Sequence, residues 1–278
     1  MMKRIILLAA ALFAAVYVFG QDLSLFEKKE ISKGEVVMPY RILYPENMEA
    51  GRQYPLFVFL HGMGKRGTDN EKQLDRGGKL FVDPANRKAF TCIAIYPQAP
   101  MESPFVGVRA SGHFFPGGFM GWSKSLGSGT YADATTEITP IGELVLDLIH
   151  SLIDSGVVDT NRIYLAGASM GAYSTYHFIA YWPELFAAAA PMGGGADMRL
   201  IDNWAGKVPV WIVHGAKDET VLPENDRQIA AVLEEKGVEY KYTEYPDAGH
   251  NCWDWAFQEP DFLQWFFSHS KDGKTLEK

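Results

Sequence analysis

The chain has 278 residues, a length usual for an α/β enzyme built on a single sheet. A formal net charge of −8, an isoelectric point near 5.4 and the lack of any basic run argue against a surface that tracks phosphates, so nucleic acid is excluded as a partner. Its two cysteines are Cys92, in an apolar segment that favours a buried thiol, and Cys252, two residues after His250. A bridge between them is chemically permitted in an exported chain, but spacing does not establish one.

The N-terminus reads Met1-Met2-Lys3-Arg4 and continues almost wholly apolar from Ile5 to Phe19, ending at Gly20-Gln21-Asp22. A basic start, a short apolar run and a polar segment after it describe a secretory signal peptide over residues 1–20. The run is shorter than the roughly 20 apolar residues that a membrane span needs. The expectation is therefore a secreted or periplasmic protein with one catalytic domain over residues 21–278 and no stable membrane span after cleavage.

From Leu23 to Tyr44 the pattern fits two antiparallel strands turning at Ser32-Lys33-Gly34. Leu56 to Leu60 is a fully apolar strand of the kind buried on both faces, and it runs into the glycine-rich bend His61-Gly62-Met63-Gly64. Cys92 to Tyr96 is another apolar strand. Met101 to Thr136 has no clean period and is rich in Gly, Ser, Pro and aromatics, among them Phe105, Phe114, Phe115, Phe119, Trp122 and Tyr131. A segment of that composition reads as a lid or wall over a site rather than as disorder. Helical spacing of Ile138, Ile141, Leu144, Val145, Leu148, Ile149 and Leu152 predicts an amphipathic helix over residues 137–155.

Arg162 to Trp182 follows as strand, turn and helix. Further apolar strands are expected at Leu185 to Pro191 and Val208 to Val213, a helix from Pro223 to Gly237, an edge strand at Tyr240 to Tyr245 and a C-terminal aromatic helix at Asp261 to Ser268. Strands alternating with helices predict an α/β fold, with a mostly parallel central sheet, helices on both faces and an N-terminal antiparallel strand pair. In such sheets sites form at the carboxyl ends of the strands.

The turn after the strand at Ile163 is Gly167-Ala168-Ser169-Met170-Gly171. Gly-x-Ser-x-Gly between a strand and a helix describes a nucleophile elbow, in which small residues two before and two after the serine permit the tight bend. Ser169 is the candidate nucleophile, and a serine hydroxyl needs a base to take its proton. Of the seven histidines, His250 has the most suitable setting, in the loop Asp247-Ala248-Gly249-His250 after the last strand. His150 and His177 fall within expected helices, while His61 and His214 end apolar strands and read as packing residues. Asp218, in His214-Gly215-Ala216-Lys217-Asp218-Glu219, is the carboxylate expected to orient the base, with Glu219 and Asp247 as rivals. The order Ser169, Asp218, His250 is that of α/β-hydrolases, and each interval leaves room for a strand and a helix. An oxyanion formed at Ser169 needs N–H donors. Met170, directly after the serine, is one, and Met63, after His61-Gly62, is the other, with Gly62 as runner-up.

Together the segments Phe59 to Gly67, Tyr96-Pro97-Gln98, Arg162 to Gly171, Val213 to Asp218 and Asp247 to His250 resemble the secreted feruloyl and acetyl-xylan esterase branch of the α/β-hydrolases. That branch is close to the polyhydroxybutyrate-depolymerase-like esterases and to proteins labelled predicted peptidases. The resemblance spans about Met38 to Phe267 apart from Met101–Thr136. It implies hydrolysis of a small-molecule or polysaccharide ester, from plant cell-wall carbohydrate, through an acyl-serine intermediate. Neither a metal nor a cofactor is required, and no histidine pair has zinc-ligand spacing. Trp122 from the lid and Trp253 beside the base are the aromatic candidates for stacking on a phenolic acyl group or a sugar face. The rival readings are a serine peptidase of the prolyl-oligopeptidase-like type and a non-catalytic carbohydrate-binding relative.

Overall fold

The computed structural model describes residues 22–110, 113–115 and 135–273. The expected signal peptide, Trp122 and most of the expected lid lie outside the described residues. Strands β1 (Glu27–Lys33), β2 (Val36–Leu43), β3 (Tyr54–Leu60) and β4 (Ile93–Pro97) come first, with two short helices, α1 (Gly78–Val82) and α2 (Pro84–Ala89), before β4. Next come β5 (Val106–Ala110), β6 (His113–Phe115) and β7 (Thr135–Ile138), then α3 (Pro140–Asp154), β8 (Val158–Ala168) and α4 (Met170–Tyr181). The chain continues through β9 (Ala188–Met192), α5 (Ile201–Trp204), β10 (Trp211–Gly215), α6 (Glu224–Glu235), β11 (Lys241–Tyr245), α7 (Cys252–Ala256) and α8 (Phe262–Phe267).

An eight-stranded sheet takes the order β1-β2-β4-β3-β8-β9-β10-β11. The β1–β2 hairpin and the β2–β4 pairing are antiparallel, and from β4 to β11 every neighbouring pair is parallel. The order reverses at β3, which has β4 on one side and β8 on the other. A crevice opens at such a reversal, at the carboxyl ends of the two strands. Leu60 and Gly167 stand in register there.

The β3 sequence Tyr-Pro-Leu-Phe-Val-Phe-Leu is buried at every position, because both faces of the sheet are covered. Leu56, Val58 and Leu60 pack into one core with Leu144 and Leu148 of α3, Tyr176 of α4 and Ile229 of α6. Phe57 and Phe59 face the other way, into a second core with Phe81 of α1 and Phe262 and Phe266 of α8. Each such side chain contributes about 1.5–3 kcal/mol when fully buried, so β3 anchors both layers. Among the described residues no helix is long and apolar enough to cross a membrane. Cys92 and Cys252 are both free and buried, and burial pushes the Cys92 thiol up to about 12.

Two expectations change. The helix predicted from residue 137 begins at Pro140, because Thr139 caps it. Thr139 Oγ1 accepts from the Gly142 N–H at 3.2 Å and lies 2.6 Å from the Pro104 carbonyl, to which it donates. Residues 135–138 instead extend as β7 against β5, which also pairs with β6, in a three-stranded antiparallel sheet. The described parts of Met101–Thr136 are thus built partly on strands, where the composition suggested irregular chain.

Candidate active site

Ser169 sits between β8 and α4 with φ 54° and ψ −115°, one of two described non-glycine residues with positive φ. A conformation of this kind costs roughly 1–3 kcal/mol and persists only where the surroundings enforce it. The Ser169 N–H donates to the Met192 carbonyl at 2.9 Å, and its own carbonyl accepts from the N–H groups of Ala172 and Tyr173. Glycine is required on both sides of the bend. A methyl group at Gly167 would collide with the Gly171 carbonyl, and one at Gly171 with the Leu60 carbonyl of β3. The hydroxyl therefore leaves the turn toward the crevice at the end of β8.

His250 follows β11 and reaches across the strand ends. Its Nε2 lies 2.9 Å from Ser169 Oγ and its Nδ1 lies 2.7 Å from Asp218 Oδ2. Asp218 follows β10 and is buried. Its Oδ1 accepts from the N–H groups of Thr220 and Val221 at 2.8 and 2.9 Å, which leaves Oδ2 for the imidazole. Burial alone would raise this carboxyl, but hydrogen bonds from His214 and His250 outweigh it and hold the group well below the usual carboxylate range. Glu219 is exposed, and Asp247 pairs with Lys217 at 2.6 Å. Of the three carboxylates weighed from the sequence, the structure puts Asp218 on His250.

Met170 is the first residue of α4 and Met63 the first residue of a 3₁₀ turn, Met63–Lys65. The first N–H groups of a helical turn have no acceptor within that turn, which leaves the N–H groups of Met170 and Met63 without an intrahelical partner. Gly62 brings the second turn close: a Cβ placed on it would lie 3.3 Å from Ser169 Cβ. His61 holds this bend from below. Its ring is fully buried, its Nδ1–H donates to the Gly62 carbonyl at 2.8 Å, and its Nε2 accepts from the Ala99 N–H at 3.0 Å. That pattern needs a neutral ring, and burial accordingly lowers His61 to about 4. His61, expected as a packing residue, also supports the backbone beside Ser169 through these bonds.

Trp253 is buried, with its ring edge-on to His250 at 5.1 Å between centroids. The Arg76 guanidinium lies 5.9 Å from the same ring, and its Nη1 donates to both carboxylate oxygens of Asp254 at 2.9 and 3.1 Å. Three more residues belong to the site's support: His214, expected as a packing residue, and Asp226 and Tyr176, which the sequence did not single out. His214 Nδ1 lies 2.6 Å from Asp226 Oδ2, His214 Nε2 lies 3.4 Å from Asp218 Oδ2, and Tyr176 donates to Asp226 Oδ1 at 2.7 Å. One signal could have found Asp226. It falls on the apolar stripe of α6 with Ile229 and Leu233, where a carboxylate has no place unless it has a partner.

The sheet order, the elbow at Ser169 and the comparisons with known proteins agree on an α/β-hydrolase fold. Residues 131–260 match the Dienelactone hydrolase family. A solved thermostable esterase is 30% identical with a TM-score of 0.75, over 89% of this chain and 64% of that one. A probable carboxylesterase of Arabidopsis thaliana (SOBER1-like) is 23% identical over 90% of this chain and 88% of its own length. An uncharacterized secreted protein of Arthroderma benhamiae is 30% identical over 142 residues, which are 40% of this chain and 15% of the fungal one. The chain therefore spans less than two thirds of the length of both the fungal protein and the thermostable esterase.

Proposed function

We propose that the protein is a secreted serine carboxylic-ester hydrolase acting on plant cell-wall carbohydrate esters, feruloyl or acetyl. The observation that carries the chemistry is the chain of two short contacts, Ser169 Oγ to His250 Nε2 at 2.9 Å and His250 Nδ1 to Asp218 Oδ2 at 2.7 Å. Ser169 Oγ attacks the ester carbonyl carbon while its proton passes to His250 Nε2. The N–H groups of Met170 and Met63 receive the oxyanion. The tetrahedral intermediate collapses by breaking the bond to the alcohol, which takes the proton from His250. Water then attacks the acyl-serine with His250 again as base, and releases the acid and free Ser169. Asp218 keeps the imidazole in the tautomer that presents Nε2 to the serine.

The carboxylesterase reading draws on the family match and on the two esterase likenesses. The substrate class rests on the motifs from Phe59 to Gly67 and from Asp247 to His250 and on the aromatic content of Met101–Thr136, with Trp122 and Trp253 as binding candidates. Export is supported by Lys3-Arg4 ahead of the apolar run from Ile5 to Phe19. The test is release of ferulate and of acetate from arabinoxylan, with a peptide amide as control. Release of either acid with an inert peptide supports the reading, and cleavage of the peptide alone would replace it with a peptidase.

A further inference from the structure

Asp218 is held from both sides by imidazoles, and only one of them reaches Ser169. His214, the penultimate residue of β10, is completely buried, as are the side chains of Asp218 and Asp226 around it. Each of its ring nitrogens faces an oxygen. Nε2 lies 2.9 Å from the Val221 carbonyl, which can only accept, so Nε2 must carry a proton. Nδ1 lies 2.6 Å from Asp226 Oδ2, so a second proton occupies that contact as well. Asp226 has a further donor in the Tyr176 hydroxyl, at 2.7 Å from Oδ1, so each of its oxygens faces a donor. The ring is thus an imidazolium with Asp226 as its counter-ion. Its Nε2–H also leans toward Asp218 Oδ2 at 3.4 Å, the same oxygen that accepts from His250.

We propose that His214 is a positioning residue for catalysis: as a buried imidazolium fixed by Asp226 and Tyr176, it holds Asp218 Oδ2 on His250. The inference rests on the Ser169–His250–Asp218 reading and extends that site inward to a line of Tyr176, Asp226, His214, Asp218, His250 and Ser169. Five structural elements meet in it. Tyr176 comes from the nucleophile helix α4 and Asp226 from α6, while His214 and Asp218 come from β10 and the loop after it. His250 comes from the loop after β11. The line locks the acid loop to the helix that carries the nucleophile.

Other groups around the ring do not supply its charge balance. Glu244 of β11 stands beside His214 in the sheet register but is engaged by Arg227 at 2.8 and 2.6 Å. The Tyr242 hydroxyl donates to Glu244, and burial raises Cys252 of α7 well above its usual range, so that thiol stays neutral. Asp226 and Asp218 are the two carboxylates in contact with the imidazole. Burial disfavours the charged ring, but the hydrogen bonds to Asp218 and Asp226 prevail and raise it to about 10.

The decisive variant pairs His214→Gln with Asp226→Asn, which removes both charges and keeps amides able to hydrogen-bond in their place. Asp218 then has one imidazole instead of two. The His250 imidazolium is held more tightly, so the acid limb of the kcat/KM profile should move to higher pH by roughly 0.5–1 unit. The kcat should fall roughly tenfold, as for other residues that orient a reacting group from behind. A fall in kcat with the acid limb unmoved would overturn the proposal, because loosened packing alone produces that result. Nitrogen-15 spectra of histidine-labelled wild-type protein give a second measurement that needs no variant to fold. Both His214 nitrogens should remain protonated from pH 6 to pH 9, and one bare nitrogen at neutral pH would overturn the proposal. Failure of the wider reading looks different: turnover would persist in Ser169→Ala, whereas the His214 spectra do not depend on turnover.

Discussion

Asp218 accepts a proton bond from His250 on Oδ2 while Oδ1 is tied to two backbone N–H groups. Its neighbour Glu219 is exposed. Asp218→Asn should therefore lower kcat by about 10⁴, as expected when the imidazole is held in the wrong tautomer. Glu219→Gln should turn over at close to the wild-type rate. Steady-state kinetics on the two variants side by side decide the point, and equal losses would contradict the assignment. At this scale much of the site is legible in the sequence, since Gly167, Ser169 and Gly171 form a Gly-x-Ser-x-Gly turn between a strand and a helix, and Asp218 and His250 follow the next strands in a recognisable order. His214 and Asp226 were not legible as a pair. Their contact joins a strand end to a helix face, and no local pattern encodes a distance between two such elements.

The strands at residues 56–60, 93–96 and 211–213 are readable because burial on both sheet faces removes every polar position from them. The short helices Gly78–Val82, Ile201–Trp204 and Cys252–Ala256 are not. None completes two turns, so no 3.6-residue period develops in them. Ile138 continues the apolar spacing of α3 backward, but Thr139-Pro140 is a stronger stop, and the residues before it go to β7. That strand is tied to α4 by His177 Nδ1, which lies 2.7 Å from Thr136 Oγ1. Burial lowers His177 to about 4, below the value near 6.5 expected in the unfolded chain. Between those values the unfolded state binds more protons, so the tie contributes fully above pH 6.5 and is lost as pH falls toward 4. From pH 7 to pH 5 the loss amounts to about 2 kcal/mol from this ring. Urea unfolding at both pH values should show the loss shrinking by that order in His177→Gln, and an unchanged loss would place the acid sensitivity elsewhere.

Across the whole molecule, the strand order reverses at β3 while every neighbouring pair from β4 to β11 stays parallel. That reversal puts the His61-Gly62-Met63 bend, the elbow at Ser169 and the loops after β10 and β11 at one edge. Alternating strands and helices imply a parallel sheet, but strand order depends on which strand edges pair, and only the folded chain reveals it. The central claim is that this edge makes Ser169 a nucleophile. Hydrolysis of p-nitrophenyl acetate by the wild-type protein and by Ser169→Ala, folded to the same stability, tests it most directly. The account predicts a fall in kcat/KM of roughly 10⁴–10⁶, and turnover in Ser169→Ala within tenfold of wild type would contradict it.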